Sequence, residues 1–348
     1  MSDIGPLAPD ASAIILLCSS IGAPPGSVRP FGPTAWARLS DQLLHAGPAR
    51  RPRDLIGLTG GEIARSIDVD AEEAERIAAL LARAGQLAFE LDRLQSRGIW
   101  VVTIADDTYP GRLRDRLGPA APPVLFGSGP AALLSGGGVA IVGSREADAA
   151  AIAFTQALAT AVAAGGSTVV SGGARGVDLT AMRAAFEAGG AAIGVLPEGV
   201  ERRLRDPSIR AALAAGRGAM VSPYHPAAPF SVGAATGRNK LIYALADVAV
   251  VVSSADGSGG TWSGAVEALK AGWVPVLVRD DADAPAGNRS LVALGAAPLS
   301  SAAVGEVASA AMLLGLAGHL GRVGRVGRAD ADAAVSSGQQ RLFDDLAP

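Results

Sequence analysis

From residue 98 onward, short apolar runs alternate with alanine-rich segments of helical length, and this alternation constrains the fold more than any other feature. The apolar runs lie at 99–104, 139–142, 167–170, 192–196, 219–221, 248–252 and 274–278. The segments of helical length lie at 147–164, 176–189, 202–215, 238–246 and 262–272. Apolar runs alternating with helices are typical of parallel strands covered on both faces. The sequence therefore predicts an α/β fold with a doubly wound, mostly parallel sheet.

The 348 residues leave room for about two domains. Apolar residues recur at helical spacing in 34–45 and 70–95, so we expect residues 1–92 to form a small helical domain. The α/β domain is then expected at 93–300 and a C-terminal helix at 301–320. Glycine and other small residues dominate the start of 321–348, which is the composition of a flexible tail.

Composition excludes several classes of protein. A net charge of −3 excludes a wholly basic nucleic-acid coat, although it leaves room for a local basic patch. Aromatic residues are only 4% of the chain, which argues against base stacking as the main means of binding. One cysteine, Cys18, and three scattered histidines show no metal-ligand spacing, so we expect no metal and no cofactor. With no leader-like or membrane-spanning run, a cytoplasmic location is expected.

Ligands of parallel α/β sheets bind beyond the carboxyl ends of the strands, so the loops there are candidate sites. The first such loop contains Gly143, Ser144 and Arg145, just before a predicted helix. A helix N-terminus beside an arginine is suited to binding phosphate. The alternative is an ordinary strand-to-helix turn with a solvated arginine.

The second loop is the most distinctive local signal. Ser171, Gly172, Gly173 and Arg175 supply a hydroxyl, two positions of close backbone approach and a cation. No Gly-Lys-Ser/Thr follows, so the loop is not a P-loop. Asp178 either caps the following helix or orients Arg175.

Two further loops complete the predicted site. Arg238, Asn239 and Lys240 are expected at the N-terminus of the helix 238–246, where a solvated cap is the alternative. Backbone N–H groups of Gly259, Gly260 and Thr261 are expected to form a cradle before the helix 262–272. The cations of these loops should meet at one sheet edge and accept phosphate, with no catalytic set of side chains beside them: Arg145, Arg175, Arg238 and Lys240.

Several motifs occur in an order that resembles the DprA (Smf) family. They are Asp106-Asp-Thr-Tyr-Pro110, Pro122-Pro-Val-Leu-Phe126, Val139 to Arg145, Ser171 to Asp178, Gly237 to Lys240, and Gly287-Asn288 with Leu291 and Gly295-Ala296. The resemblance covers about 98–300. It implies a Rossmann-like core that binds single-stranded DNA without strong sequence preference and is not an enzyme. It also implies a dimer that protects DNA during uptake and recombination and loads the RecA recombinase.

Some residues depart from the family pattern, which indicates a divergent branch. Phe230 lies farther than usual before Arg238, and Lys240 replaces the last arginine of the usual motif. The segment from Gly259 to Ala265 resembles nucleoside-monophosphate phosphoribohydrolases of the same superfamily. Those enzymes need a glutamate where this chain has Gly264, which argues against hydrolysis. A nucleotide-binding sensor is the remaining alternative.

The tail carries a separate signal. Gln339, Leu342 and Phe343 fit the Gln-x-x-Leu-Phe form of bacterial sliding-clamp binding peptides. An extended tail could place the two apolar side chains in a groove of the clamp and become ordered on binding. The alternatives are a tail that docks on its own domain or one that stays free.

Overall fold

The computed structural model describes residues 7–24, 26–305 and 310–320. Contacts divide the chain into two compact units. Among described residues, the first unit runs up to Phe126 and includes Pro223–His225. The second contains Gly127–Ser222 and the described residues from Pro226 onward. The predicted domain limits at 92, 300 and 320 stay predictions.

The first unit is mostly helical, as the spacing of its apolar residues predicts. Its elements are α1 (Ala11–Cys18), α2 (Pro33–His45), α3 (Gly60–Ser66), α4 (Ala71–Leu81), α5 (Ala84–Ser96), β1 (Trp100–Thr103), α6 (Gly111–Leu117) and β2 (Val124–Ser128), whose end passes into the second unit. Short 3-10 helices of this unit lie at Pro52–Leu55 and Gly118–Ala120, and a third, Ala131–Ser135, belongs to the second unit.

The segment 70–95, predicted as one helix, forms two. The chain turns at Ala82 and Arg83 between α4 and α5. The guanidinium of Arg83 donates to the carbonyls of Leu16, Ser19 and Ile21. These long-range hydrogen bonds stabilise the turn between α4 and α5. The spacing of apolar residues in the sequence does not predict them.

The second unit contains most of the sheet. Its strands are β3 (Val139–Gly143), β4 (Val169–Ser171), β5 (Ala192–Val195), β6 (Gly218–Ser222), β7 (Val248–Ser253), β8 (Val276–Arg279) and β9 (Ala297–Leu299). Its helices are α7 (Ala149–Ala164), α8 (Val177–Glu187), α9 (Val200–Arg203), α10 (Pro207–Ala214), α11 (Val232–Leu245), α12 (Gly259–Ala271), α13 (Ala286–Ala293), α14 (Ser301–Val304) and α15 (Ala310–Leu320).

The strands of the second unit lie in the order β6-β5-β4-β3-β7-β8-β9, and every neighbouring pair among them is parallel. Val139 of β3 pairs with Val169 on one side and with Val248 on the other. The residues of β4, β5, β6 and β7 are all buried, as strands covered on both faces must be. The predicted doubly wound α/β fold is confirmed.

Two predicted helices are wrong in extent, and the predicted C-terminal helix stays a prediction. The segment 202–215 is divided into α9 and α10 because Asp206 caps a new helix by accepting from the Ser208 N–H at 2.9 Å. The helix predicted over 238–246 begins at Val232, because Ser231 accepts from the Ala234 N–H at 3.0 Å and caps it there. The helix predicted over 301–320 is described as α14 and α15, with 306–309 outside the described residues.

In the described ranges, no helix combines the length and the apolar character needed to cross a membrane.

Candidate functional site

The order of the strands places a crevice beside β3. From β3 the chain passes through β4 and β5 to β6, and then returns to form β7 on the opposite side of β3. The loops that follow β3 and β7 therefore lead away from each other at the point where the strand order reverses. In open α/β sheets, ligands bind in the crevice that such a reversal opens at the carboxyl ends of the strands.

A cleft of about 480 Å³ occupies this position, and we call it the switch-point cleft. Polar side chains and glycines of its lining come from the end of β7, from the loops after β3, β4 and β7, and from α8, α11 and α12: Ser144, Arg145, Glu146, Arg175, Asp178, Thr236, Arg238, Asn239, Tyr243, Ser253, Ser258, Gly259, Gly260 and Thr261. Residues distant in sequence are thus brought together because successive parallel strands end at the same edge. Of the four cations expected to meet at this edge, three line the cleft, Arg145, Arg175 and Arg238, and Lys240 does not.

A second cleft of about 430 Å³, the outer cleft, lies beside the first. Arg145, Ala174 and Arg175 line both clefts. The outer cleft also contains a second pair of arginines, Arg202 and Arg203. The two clefts therefore share a cationic wall formed by the loops after β3 and β4.

The two shared arginines are both exposed. The guanidinium carbon of Arg145 lies 5.4 Å from the centre of the Phe230 ring, which is a cation–π contact. Phe230 itself is 41% exposed and lines the outer cleft. An apolar ring thus stands beside the guanidinium of Arg145, even though aromatic residues are scarce in the sequence as a whole.

Arg238 corrects the prediction of paired cations at a helix N-terminus. It lies within α11 and is only 3% exposed. Its Nη2 donates to the Gly172 carbonyl at 2.9 Å. Arg238 therefore stabilises the loop after β4 through this hydrogen bond. Its buried guanidinium also contributes positive charge to the switch-point cleft.

Lys240 is the one predicted cation that lines neither cleft, and it is half-buried. Asn239 does line the switch-point cleft, and its Nδ2 donates to the Gly260 carbonyl at 3.0 Å. This hydrogen bond ties α11 to the first turn of α12.

The first turn of α12 faces the switch-point cleft, as the predicted backbone cradle requires. Gly259, Gly260 and Thr261 are the first three residues of the helix and line the cleft. Ser258 precedes them at the N-cap and makes no side-chain capping hydrogen bond. Their N–H groups are thus free of a side-chain cap and placed for an anion.

Ser171 has a different role from the one predicted. Its side chain is fully buried, and its hydroxyl donates to the Ile141 carbonyl at 2.6 Å. The hydroxyl therefore links β4 to β3 and does not face a ligand. In the loop after β3, the Ser144 hydroxyl accepts from the Glu146 N–H at 3.0 Å.

Asp178 joins the end of β3 to the loop after β4. Its carboxylate accepts hydrogen bonds from the backbone N–H groups of Gly143, Gly172 and Ala174. Burial raises its pKa from 3.8 to about 6, against the opposing effects of the Arg238 charge and those hydrogen bonds. The sequence leaves two roles open for Asp178, which are to orient Arg175 or to stabilise the start of the following helix. The contacts favour the structural role.

Two functional features were missed by sequence reasoning. Arg203 pairs with Glu198, with 2.8 Å between Nε and Oε1, and its Nη2 donates to the Gly173 carbonyl at 3.0 Å. Glu198 is 4% exposed, so this is a buried carboxylate with a fixed partner. In the sequence, the segment 197–199 has the composition of an ordinary turn, and the available signal was a glutamate in the loop after β5.

Tyr243 is the second missed feature. It is 2% exposed, lines the switch-point cleft, and its hydroxyl has no hydrogen-bond partner within the described chain. Burial and the nearby Asp178 charge raise the pKa of this phenol, so the hydroxyl stays protonated. A buried hydroxyl of this kind is available to a polar atom of a ligand.

The predicted clamp-binding residues Gln339, Leu342 and Phe343 lie outside the described residues. Within those residues, no group of His, Cys, Asp or Glu has the arrangement of a metal site.

A parallel sheet with an arginine-lined cleft at its reversal point defines a Rossmann-like α/β protein with an anion-compatible site. The sequence model of the DNA recombination-mediator protein A family matches residues 100–307. The chain belongs to this family, which is the DprA family that its motifs resemble.

Similar proteins agree with this assignment. A DNA processing protein DprA of Mycobacterium tuberculosis is 33% identical over 212 residues, covering 57% of this chain and 52% of the relative. The chain thus spans about half the length of the curated relatives it matches.

The X-ray structure of DNA processing protein A from Streptococcus pneumoniae superposes with a TM-score of 0.58 at 22% identity, covering 78% of this chain and 94% of that one. This likeness shows a shared fold. DNA processing protein A from Helicobacter pylori, studied for its mode of binding single-stranded DNA, gives a TM-score of 0.47 at 25% identity, covering 62% of this chain and 96% of that one.

Proposed function

We propose that this protein binds single-stranded DNA through its phosphates and acts in DNA recombination without being an enzyme. The observation that carries the proposal is the cationic wall shared by the two clefts. Arg145 and Arg175 stand on this wall and are exposed on both sides, so consecutive phosphates of one strand can lie in neighbouring clefts. Membership of the recombination-mediator family supports the same class of ligand.

Several features favour a single strand over a duplex. The two clefts lie between loops at the carboxyl edge of the sheet, with volumes of about 430 and 480 Å³. Phe230 offers a ring on which any base can stack, beside the arginine that holds the phosphate. Backbone contacts with one stacking ring are tolerant of sequence, because every base has an apolar face.

The test is a binding assay with fluorescent single-stranded and duplex oligonucleotides at several salt concentrations. Arg145→Ala with Arg175→Ala should weaken binding of all sequences alike. It should also reduce the slope of log affinity against log salt by about 0.7 for each phosphate that is no longer neutralised. Arg210→Ala is the matched control, since Arg210 is exposed on α10 and lines neither cleft. Unchanged affinity and salt slope in the double variant would falsify the proposal.

The finer roles expected from the resemblance belong to this proposal. The protein would act as a dimer in the cytoplasm, protect single strands during DNA uptake, and load RecA on them. Sedimentation of the pure protein tests the dimer, and RecA filament formation on coated DNA tests loading. Deleting 339–346 and measuring clamp binding tests the tail.

A second candidate is a nucleotide-binding sensor, and it rests on Tyr243. The switch-point cleft has the size of a small-molecule pocket, about 300–1,000 Å³, and Tyr243 presents a buried hydroxyl there. Calorimetry with nucleoside monophosphates tests it, with Tyr243→Phe as the variant. The hydrolase alternative is tested by incubating the pure protein with a nucleoside monophosphate and measuring release of the base. At the position where that activity needs a glutamate, this chain has the buried Gly264. The nearest glutamate, Glu267, is exposed and lines neither cleft.

A further inference from the structure

A cavity of about 360 Å³ lies at the carboxyl end of β8, and we call it the β8 cavity. Its walls come from α7, from the end of β8 and the loop after it, and from α14. In the described part of the chain, none of the residues that line it lines the switch-point cleft or the outer cleft. The phosphate binding proposed for those two clefts therefore does not account for it.

Arg279, the last residue of β8, is the buried cation of this cavity. It lines the cavity although only 1% of its side chain is exposed. Its Nε donates to Oδ2 of Asp281 at 2.9 Å, and its Nη2 donates to Oδ1 of Asp283 at 2.5 Å. Its Nη1 has no hydrogen-bond partner within the described chain. Because a buried donor without a partner is costly, this nitrogen is suited to an acceptor atom of a ligand.

The two carboxylates beside Arg279 differ in how far their oxygens are already used. Asp281 accepts from the N–H and the hydroxyl of Ser301 at 2.9 and 2.6 Å, in addition to Arg279. Asp283 accepts from Arg279 through one oxygen, and 52% of its side chain is exposed. Asp283 therefore keeps an oxygen for a donor of a ligand. Because one arginine faces two aspartates, the lining carries one excess negative charge, which favours a positively charged donor.

The rest of the lining is apolar. Ala150, Ala153 and Ala157 of α7 are exposed and line the β8 cavity. The ring of Phe154 is buried, with its centre 5.9 Å from the guanidinium carbon of Arg279. The small side chains of α7 leave room for an apolar group of a ligand. The volume lies within the range of about 300–1,000 Å³ that is typical of small-molecule sites.

We propose that the β8 cavity binds a free α-amino acid with an apolar side chain. The α-carboxylate accepts from Nη1 of Arg279, the α-ammonium donates to Asp283, and the side chain lies against the alanines of α7. An α-amino acid carries its acceptor and its positive donor on one carbon atom, which matches an arginine and an aspartate that are themselves in contact. A purely anionic ligand is repelled by the excess charge, and a purely cationic ligand leaves Nη1 without an acceptor.

The experiment is calorimetric titration of the full chain with L-leucine, L-valine and L-phenylalanine. N-acetyl-leucine lacks the ammonium group and leucine amide lacks the carboxylate, so each removes one of the two polar contacts. We expect at least one of the three amino acids to bind at one site per chain. The two analogues of leucine should bind about 10- to 100-fold more weakly than leucine, as expected for the loss of a hydrogen bond between charged groups.

Two variants locate the site. Asp283→Asn removes the charge that meets the ammonium, and Ala153→Trp fills the apolar part of the cavity from an exposed position. Their matched controls are Asp280→Asn and Gln156→Trp, which change exposed neighbours outside the lining. Arg279 itself stays unchanged because its replacement leaves two aspartates without their partner and endangers folding. Thermal unfolding confirms that each variant is folded.

Asp283→Asn and Ala153→Trp should each weaken amino-acid binding about 10-fold or more, and both controls should bind like the wild type. The proposal is overturned if none of the three amino acids binds, if leucine amide binds as tightly as leucine, or if Asp283→Asn keeps wild-type affinity. Affinity for single-stranded DNA and its salt slope should be unchanged in all four variants, because the arginines of the two clefts remain. Failure of this proposal is thus distinguished from failure of the proposed function.

Discussion

The guanidinium of Arg238 lies directly on the backbone of Gly172 and donates to its carbonyl at 2.9 Å. A Cβ added to Gly172 would stand 2.0 Å from Nη1 of Arg238, so the loop and the arginine fit only because residue 172 has no side chain. The close contact joins α11 to the loop that carries Arg175. The shape of the site thus depends on a glycine and an arginine that are distant in sequence.

Gly172→Ala should therefore disturb both stability and binding. Its methyl group forces Arg238 to move and to lose its hydrogen bond to residue 172. Overpacking of this kind costs about 1–3 kcal/mol, which urea unfolding measures. We also expect weaker binding of single-stranded DNA, because the loop carries Arg175.

Gly233→Ala is the control for this substitution. Gly233 lies in α11 with open space around its position. Alanine there should leave binding unchanged and add up to about 1 kcal/mol of stability, since alanine favours helix. Equal stability of Gly172→Ala and the wild type would contradict the role given to the close contact.

Ser171→Ala should show whether the Ser171 hydroxyl has a structural role or binds the ligand. The hydroxyl donates to Ile141 within the sheet, so its loss leaves a buried carbonyl with less hydrogen bonding. We expect a loss of about 1–2 kcal/mol in unfolding free energy. DNA affinity and its salt slope should stay at wild-type values. A weaker salt slope would instead support the phosphate contact that the sequence predicts for Ser171.

Asn288 is predicted to be a major structural residue of the loop after β7. Its Oδ1 accepts from the Ser254 N–H at 2.9 Å, and its Nδ2 donates to the carbonyls of Val252 and Arg279 at 3.0 and 2.9 Å. Asn288→Ala removes all three bonds in a fully buried place and should cost about 3 kcal/mol. Arg289→Ala, at the exposed neighbouring position, should cost far less by the same unfolding measurement.

The sequence predicts the parts of the fold that rest on local pattern. Apolar runs mark β3 to β8 because both faces of these strands are covered. Arg145 and Arg175 are predicted at this edge of the sheet because each lies in the loop that follows such a strand, and both line the switch-point cleft. Strands β2 and β9 are missed, since the apolar run of β2 is only three residues long and ends at Gly127, and β9 contains Pro298.

The parts that depend on long-range contacts could not be predicted. Thr236 and Gly237 read as a helix boundary, yet they lie inside α11 because the cap at Ser231 starts the helix earlier. Arg203 becomes part of the site only through its pairing with Glu198 in the folded chain. The side chains of Met182 and Met220 lie on Gly194, and these three residues come together only once the sheet and helices have packed.

Asp178 should make stability depend on pH in a defined window. Because burial raises its pKa from 3.8 to about 6, the native state binds more protons than the unfolded state between those values. The unfolding free energy therefore falls as pH rises from about 4 to about 6, by up to about 3 kcal/mol for a shift of this size. The measurement is the stability of wild type relative to Asp178→Asn at pH 4 and pH 7, in which the other carboxylates cancel. A constant difference across this range would contradict the raised pKa.

The same carboxyl group should couple protons to DNA binding. Asp178 lines the switch-point cleft, so a phosphate bound there raises its pKa further by like-charge repulsion. Protein and DNA then take up a proton together, and affinity for single-stranded DNA should rise as pH falls from about 8 to about 6. The increase is at most about tenfold per pH unit for one proton. In Asp178→Asn the dependence should be flat over this range, with the affinity of the wild type at low pH. If the asparagine variant keeps the wild-type pH dependence, another group binds the proton and no phosphate lies beside Asp178.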